Sequence, residues 1–369
     1  MPSRGNARKM FMVKVSIFGK IQKSVEKKKA SRIECKNRSL IQINGIYLHY
    51  LHTIQNEGDD FLVFKFHASG GYTFNLSILC HMKLGPTYPA KVLLIGEYTV
   101  LQGGAAIGLP IVNYFSEWDK GTMAEARPLL AFHRYLQTCC PEILDLERWY
   151  DDLQSGYFLR SSIPARAGLG SSGNLVAAVY DRFAYHVEKD QHRLQSILAQ
   201  MENFFHGTSS GFDPLIILRA KPLVKKASGI EVLDNLILPD MHPWIMDSQS
   251  PRTAQPINVF NQKLEQAEFL GHLAHGTSIA DQLIWHLIEQ EHQQAWQELT
   301  ALSLWQLQYL DFLIPESIRQ KWREGLEGQR FLIKLCGAGG GGMFQVWTKD
   351  PEWPQGLSGW PHELLRYSF

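Results

Sequence analysis

The stretch Pro164-Ala-Arg-Ala-Gly-Leu-Gly-Ser-Ser-Gly-Asn174 constrains this chain more than any other. It follows a strand-like run, Tyr157 to Ser161, and enters Leu175-Val-Ala-Ala-Val-Tyr-Asp-Arg-Phe183, whose apolar spacing predicts a helix. A glycine-rich loop therefore opens a helix. The first N–H groups of a helix lack intrahelical partners and carry the positive end of its dipole, so an anion such as phosphate is a natural ligand there. Glycine lets that backbone approach the anion with no side chain between them. Taken alone, the same residues also describe a tight turn with a serine N-cap.

The remaining chain supplies context. At 369 residues and 45% hydrophobic it can bury the core of one large domain or two moderate ones. No run approaches the roughly 20 apolar residues of a membrane span, and no secretory leader pattern is present. The expectation is a cytoplasmic protein with neither a membrane nor a nucleic acid as partner. Cys35, Cys80, Cys139, Cys140 and Cys336 form an odd set without a C-x-x-C pair, which argues against a disulfide framework and a zinc site. Residues 1–82 hold 13 Lys and Arg against 5 Asp and Glu, whereas the remainder holds 24 against 31. That charge break, with the loss of periodic pattern before Lys83, marks 1–82 as a basic extension, expected to be non-native or disordered. Intact mass from the native source decides whether it belongs to the working protein.

Lys91-Val-Leu-Leu-Ile-Gly reads as a strand, and Ala105-Ala-Ile-Gly-Leu-Pro-Ile-Val resumes the apolar character after a turn. Lys91 and Glu97 are costly near a core unless paired or used; otherwise they are a snorkelling lysine and a surface glutamate. Helical spacing runs over Arg127–Gln137, Leu194–Phe205, Phe260–His272, Ile279–Ile288 and Gln294–Phe312. Glu202 and His206, four apart, share a face if the second of these persists. Asp213 falls in the next Gly/Ser loop before a strand-like Leu215-Ile-Ile-Leu, and Ser209, Ser210 and Asp213 also suit turn and cap roles. Pro243–Ser248 and Phe331–Cys336 read as strands, the second leading through Gly337-Ala-Gly-Gly-Gly-Gly342 into a returning strand, Met343–Trp347. Five glycines in six residues carry a heavy entropic cost, which suits a place where a ligand or another main chain must come close. The tail around Trp353 and Trp360 reads as irregular. Both glycine loops satisfy G-x-G-x-x-G, yet neither has the strand, helix and acidic residue a dinucleotide site requires, and no Gly-Lys-Ser/Thr of a P-loop is present.

Three segments in order, Lys91-Val-Leu-Leu-Ile-Gly-Glu-Tyr-Thr-Val-Leu, Pro164-Ala-Arg-Ala-Gly-Leu-Gly-Ser-Ser-Gly and Lys334-Leu-Cys-Gly-Ala-Gly-Gly-Gly-Gly-Met, together resemble the GHMP kinases. The resemblance spans Lys83 to about Trp347. It implies a two-domain α+β fold, with a part similar to ribosomal protein S5 domain 2 over 83–240 and a ferredoxin-like part over 241–369. It also implies ATP and Mg²⁺. Glu202-x-x-x-His206-Gly-x-x-Ser210-Gly-x-Asp213 is most similar to the mevalonate kinases. By that resemblance Asp213 and Lys91 are catalytic, and Ser172 and Glu202 hold Mg²⁺. Pro164, Gly168, Leu169, Gly170, Ser171 and Ser172, with Gly337, Gly339 and Gly340, surround the ATP phosphates. Glu97, Tyr98, His206, Ser210, Arg252 and Thr253 face a small-molecule substrate, and a homodimer is compatible with the family. Departures are Tyr98 in place of a common histidine, Cys336 in place of threonine and Gly173-Asn174 in place of Ala-Ala. They leave a phosphomevalonate kinase or another GHMP kinase as alternatives to a mevalonate kinase; a non-catalytic ligand sensor is a separate alternative, whose mark would be loss of Lys91, Ser172, Glu202 or Asp213, and all four are present.

Overall fold

A computed structural model of the chain describes residues 40–43, 46–56, 59–68, 73–74, 80–82, 86–164, 167–234, 236–238, 240–251 and 256–366. The chain divides into two compact units, Met1–Leu84 and Gly85–Phe369. In the first, β1 (Leu40–Ile43), β2 (Ile46–Asn56), β3 (Asp59–Ala68) and β4 (Thr73–Phe74) follow one another across an antiparallel sheet, and β5 (Cys80–Met82) also pairs with β3. The basic residues before Leu40 lie outside the described residues.

The second unit carries the glycine loops. Its first sheet has the order β10-β9-β7-β6, formed by β6 (Thr87–Ile95), β7 (Ala106–Lys120), β9 (Leu223–Lys226) and β10 (Gly229–Val232), while β8 (Tyr157–Ser161) pairs with the far end of β7. Besides a single helical turn at Met123–Ala126, it is accompanied by α1 (Leu129–Cys139), α2 (Leu146–Gln154), α3 (Ser171–Phe183), α4 (Gln191–His206) and α5 (Phe212–Arg219). Their apolar faces form one core, in which Phe132, Trp149, Tyr180, Phe183, Leu198, Phe212 and Leu215 are buried. Burial of each such side chain contributes roughly 1.5–3 kcal/mol. The second sheet, β12-β13-β11-β14, is antiparallel and comprises β11 (His242–Asp247), β12 (Leu332–Leu335), β13 (Met343–Thr348) and β14 (His362–Leu364). It is accompanied by α6 (Pro256–Lys263), α7 (Ala267–Ile288), α8 (His292–Tyr309) and α9 (Glu316–Gly328). Val92, Leu94 and Ile107 of the first sheet share a core with Trp305, Trp322 and Phe344 beside the second. β6 is therefore buried on both faces, which explains its almost unbroken apolar run.

Several expectations need correction. Leu215-Ile-Ile-Leu belongs to helix α5, and Asp213 lies in that helix's first turn rather than in a loop. Four apolar residues fit either period, and here left-handed residues Gly211 and Ala220 bound the helix. The expected break between Phe260–His272 and Ile279–Ile288 is absent, because α7 runs through it and the chain turns at residues 264–266 instead. The tail is not wholly irregular: β14 adds an edge strand beside β11, pairing Trp244 with Leu364. The loop before α3 is not a serine cap. Its N-cap is Gly170 at φ 80°, without a side-chain capping bond, so Ser171 and Ser172 already belong to the helix.

Candidate active site

The site is assembled from the edge of β6 and the facing ends of α3, α4 and α5. Lys91 occupies the register position opposite Pro110, and its backbone N–H donates to Leu169 O at 3.1 Å. The glycine loop thus covers the strand edge. Gly170 has a left-handed backbone, and a Cβ there would stand 2.7 Å from Lys91 Cγ and 2.9 Å from its Cε. Only glycine allows the lysine stem to lie against this loop. Beyond it, Lys91 Nζ meets Asp213 Oδ2 at 2.6 Å, with the lysine side chain 6% and the aspartate 34% exposed. Burial alone would lower the ammonium pKa, but the charge and hydrogen bond of Asp213, with smaller help from Cys336 and Glu202, hold Lys91 above its ordinary value. Lys91 is a charged residue in a dry place, facing an acid that water or a substrate can still reach.

Close packing brings α3 and α5 together. At Gly173 a Cβ would stand 3.0 Å from Pro214 N and 3.1 Å from Asp213 Cβ, so glycine lets the two helix starts approach. The buried Asn174 donates through Nδ2 to Tyr88 O at 3.0 Å and Pro89 O at 2.9 Å, where the β6–β7 register shifts between Pro89 and Ala90. These two residues, departures from the resembled pattern, fix α3 to its neighbours.

Ser172 then faces the end of α4. Its Oγ donates to Glu202 Oε1 at 3.2 Å and lies 2.9 Å from His206 Nε2. Glu202 is buried, and Ser209 Oγ donates to its other oxygen at 2.5 Å. Burial pushes the Glu202 carboxyl up to about 7, assisted by the Asp213 charge and opposed by Ser209, Lys91 and Ser172. An acid raised by burial and a neighbouring carboxylate is a place that gains from a cation. Two oxygen donors from separate helices suit Mg²⁺, which takes few protein ligands and leans on phosphate oxygens for the rest.

Other predicted residues are placed differently. Lys91 and Glu97 are both buried, so neither is a snorkelling lysine or a surface glutamate. Glu97 is sealed against Lys334, whose Nζ donates to both carboxylate oxygens at 2.6 and 2.7 Å and to Leu335 O at 2.9 Å. Burial raises the Glu97 carboxyl, and Lys334 pulls it back. Tyr98 is buried, with φ 65°, and its hydroxyl donates to Ala338 O at 2.6 Å in the second glycine loop. Ser210 is exposed, its Oγ accepting from Phe212 N at 3.3 Å as a turn residue does. Arg252 and Thr253 lie outside the described residues.

The second loop is held largely by main chain. Gly340 N–H donates to Leu313 O at 2.7 Å and Gly342 N–H to Ser250 O at 3.0 Å. A Cβ at Gly341 would fall 2.7 Å from Pro251 O. Both loops converge on one segment of chain, since Lys91 holds the first and Tyr98 the second. Sequence reasoning singled out neither Ser209 nor Lys334 as a site residue. A lysine inside the apolar Phe331–Cys336 run was the available signal for the latter, on the same desolvation argument applied to Lys91.

Among the described residues no helix is long and apolar enough to cross a membrane. Residues 136–220 match the family described as GHMP kinases N terminal domain. Comparison with curated protein sequences gives no match. Among solved structures, L. major mevalonate kinase in complex with R-mevalonate is similar at 18% identity and TM-score 0.54, covering 78% of this chain and 97% of that one. Streptococcus pneumoniae phosphomevalonate kinase in complex with phosphomevalonate and AMPPNP is similar at 15% identity and TM-score 0.55, covering 76% and 99%. Lactococcus lactis galactokinase complexed with galactose is similar at 13% identity and TM-score 0.56, covering 78% and 94%. The fold is therefore that of the GHMP kinases.

Proposed function

We propose that this chain, carrying a GHMP kinase N-terminal domain on a GHMP kinase fold, transfers the γ-phosphoryl group of ATP to the hydroxyl of a small acidic alcohol, mevalonate being the first candidate. The observation that carries the proposal is the 2.6 Å contact of a buried lysine with a partly exposed aspartate beside a glycine loop that opens a helix. Phosphoryl transfer requires an in-line nucleophile and stabilisation of charge on the moving group. Asp213 orients the acceptor hydroxyl and receives its proton. Lys91, paired with that carboxylate, places positive charge beside the reacting oxygens. The backbone N–H groups from Gly168 to Ser172 hold the phosphates at the positive end of α3. Ser172 and Glu202 would hold Mg²⁺, which, when bound, neutralises charge on the phosphate oxygens. Gly337, Gly339 and Gly340 form the opposite wall of the phosphate site in this reading.

Support for mevalonate comes from the Glu202-to-Asp213 motif and from the structural likeness to mevalonate kinases, although the same fold accommodates phosphomevalonate and galactose in its relatives. A panel of mevalonate, phosphomevalonate and sugars, scored by ADP formation, tests the assignment. Mevalonate-dependent ADP formation is expected. ADP formation only with another acceptor reassigns the substrate, and none with any acceptor removes the kinase reading.

A further inference from the structure

Ser209 is not a turn residue alone. Its Oγ accepts from Gly211 N–H at 3.0 Å and lies 2.5 Å from Glu202 Oε2. A serine hydroxyl has a single proton, and with Gly211 already donating to it, that proton points at the carboxylate. The turn carrying Ser209 is anchored to the helix that carries Glu202. Gln195 of α4 donates through Nε2 to Ser210 O at 2.7 Å, and a Cβ at Gly211 would fall 2.3 Å from Gln195 O. Donor and acceptor therefore sit on one rigid frame. With Oε2 occupied, Oε1 remains turned toward Ser172 Oγ at 3.2 Å.

We infer that Ser209 is a positioning residue that fixes the rotation of the Glu202 carboxylate, so that one defined oxygen and the Ser172 hydroxyl are presented together to a divalent cation. The inference rests on the reading that this site holds magnesium nucleotide. Without the Ser209 hydroxyl the carboxylate turns freely or pairs elsewhere, and outer-shell partners of this kind typically govern about 10- to 100-fold in metal affinity.

Calorimetric affinity of a non-hydrolysable ATP analogue, measured with Mg²⁺ and separately with EDTA, tests it in wild type, Ser209→Ala and Ser209→Thr. Wild type should bind more tightly with Mg²⁺. Ser209→Ala should lose about 10-fold or more of affinity in Mg²⁺ and nothing in EDTA, while Ser209→Thr, which keeps the hydroxyl, should behave as wild type. Equal losses in both media, a loss shared by the threonine variant, or an unchanged Ser209→Ala would overturn the positioning role alone. Wild type that binds no analogue in either medium, or gains nothing from Mg²⁺, would overturn the underlying site and this role with it.

Discussion

Two strands of this protein each bury a lysine against a carboxylate, and the pairs differ in how far water reaches the acid. Lys334 and Glu97 are 1% and 2% exposed, with Gln345 Nε2 also donating to Glu97 Oε1 at 3.3 Å. Lys91 is 6% exposed but its partner Asp213 is 34% exposed. The first pair is closed on all sides and joins β12 to the turn after β6. In the second, one side of the acid remains available for a hydroxyl. A lysine facing a carboxylate thus makes a sealed clamp in one place and, on the proposed function, a reactive pair in the other, and the pairs differ in solvent access rather than distance.

Substitutions that remove charge but keep volume separate the two roles most sharply. Lys91→Met and Asp213→Asn should each lower turnover by about 10³-fold or more, by loss of charge stabilisation at the reacting oxygens. Lys91→Met should leave thermal unfolding nearly unchanged, because an unpaired Asp213 is still hydrated, whereas Asp213→Asn strands the buried Lys91 ammonium and should also lower stability. Near-normal turnover in either removes that residue from the chemistry. Lys334→Met should do the reverse, costing about 3–5 kcal/mol of stability by stranding a buried carboxylate, and Lys334→Met with Glu97→Leu should recover much of it. Denaturant unfolding of the single and double variants checks this, and an additive double variant would dissolve the clamp.

Gly170→Ala tests the contact between loop and lysine. A methyl group there meets the Lys91 stem on a left-handed backbone, so displacement of the lysine by a fraction of an ångström should cost about 10²-fold in turnover. The alanine variant of Gly103, whose Cβ would meet nothing within 4 Å, should keep normal turnover. The smallest effect concerns pH. Glu202 titrates near 7 when folded against 4.5 as its ordinary value, so the folded protein binds the extra proton between those values. Metal-free wild type should therefore lose stability relative to Glu202→Gln as pH rises from about 4.5 through about 7, by about 3 kcal/mol in total. A difference that does not change with pH would place the Glu202 titration elsewhere.

The sequence made the first glycine loop and its helix readable because glycine spacing and helical periodicity are local signals. It did not reveal that Gly170, rather than a serine, forms the N-cap, since that depends on Lys91 lying across the loop from 79 positions earlier. Lys91 and Glu97 were both legible as costly charges. Desolvation says that a buried charge needs a counterion without saying which one, so Lys334, 237 positions from Glu97, was not legible, and Asp213 was set beside Lys91 only by the family resemblance. The Leu215–Leu218 run failed for a different reason, being too short for its period to distinguish strand from helix. The Gly337 loop left ligand and main chain as competing occupants, and Leu313 and Ser250 show that main chain claims part of it.

On the proposed function, the open lysine–aspartate pair performs phosphoryl transfer and the closed lysine–glutamate pair does not. Product analysis by mass spectrometry with ATP, Mg²⁺ and mevalonate tests it most directly, in wild type, Asp213→Asn and the stability-compensated Lys334→Met with Glu97→Leu. One phosphorylated acceptor per ADP is expected from wild type and from the compensated double variant, and essentially none from Asp213→Asn. Phosphorylated acceptor formed equally well by Asp213→Asn, or lost only when the Lys334 pair is replaced, would contradict the account.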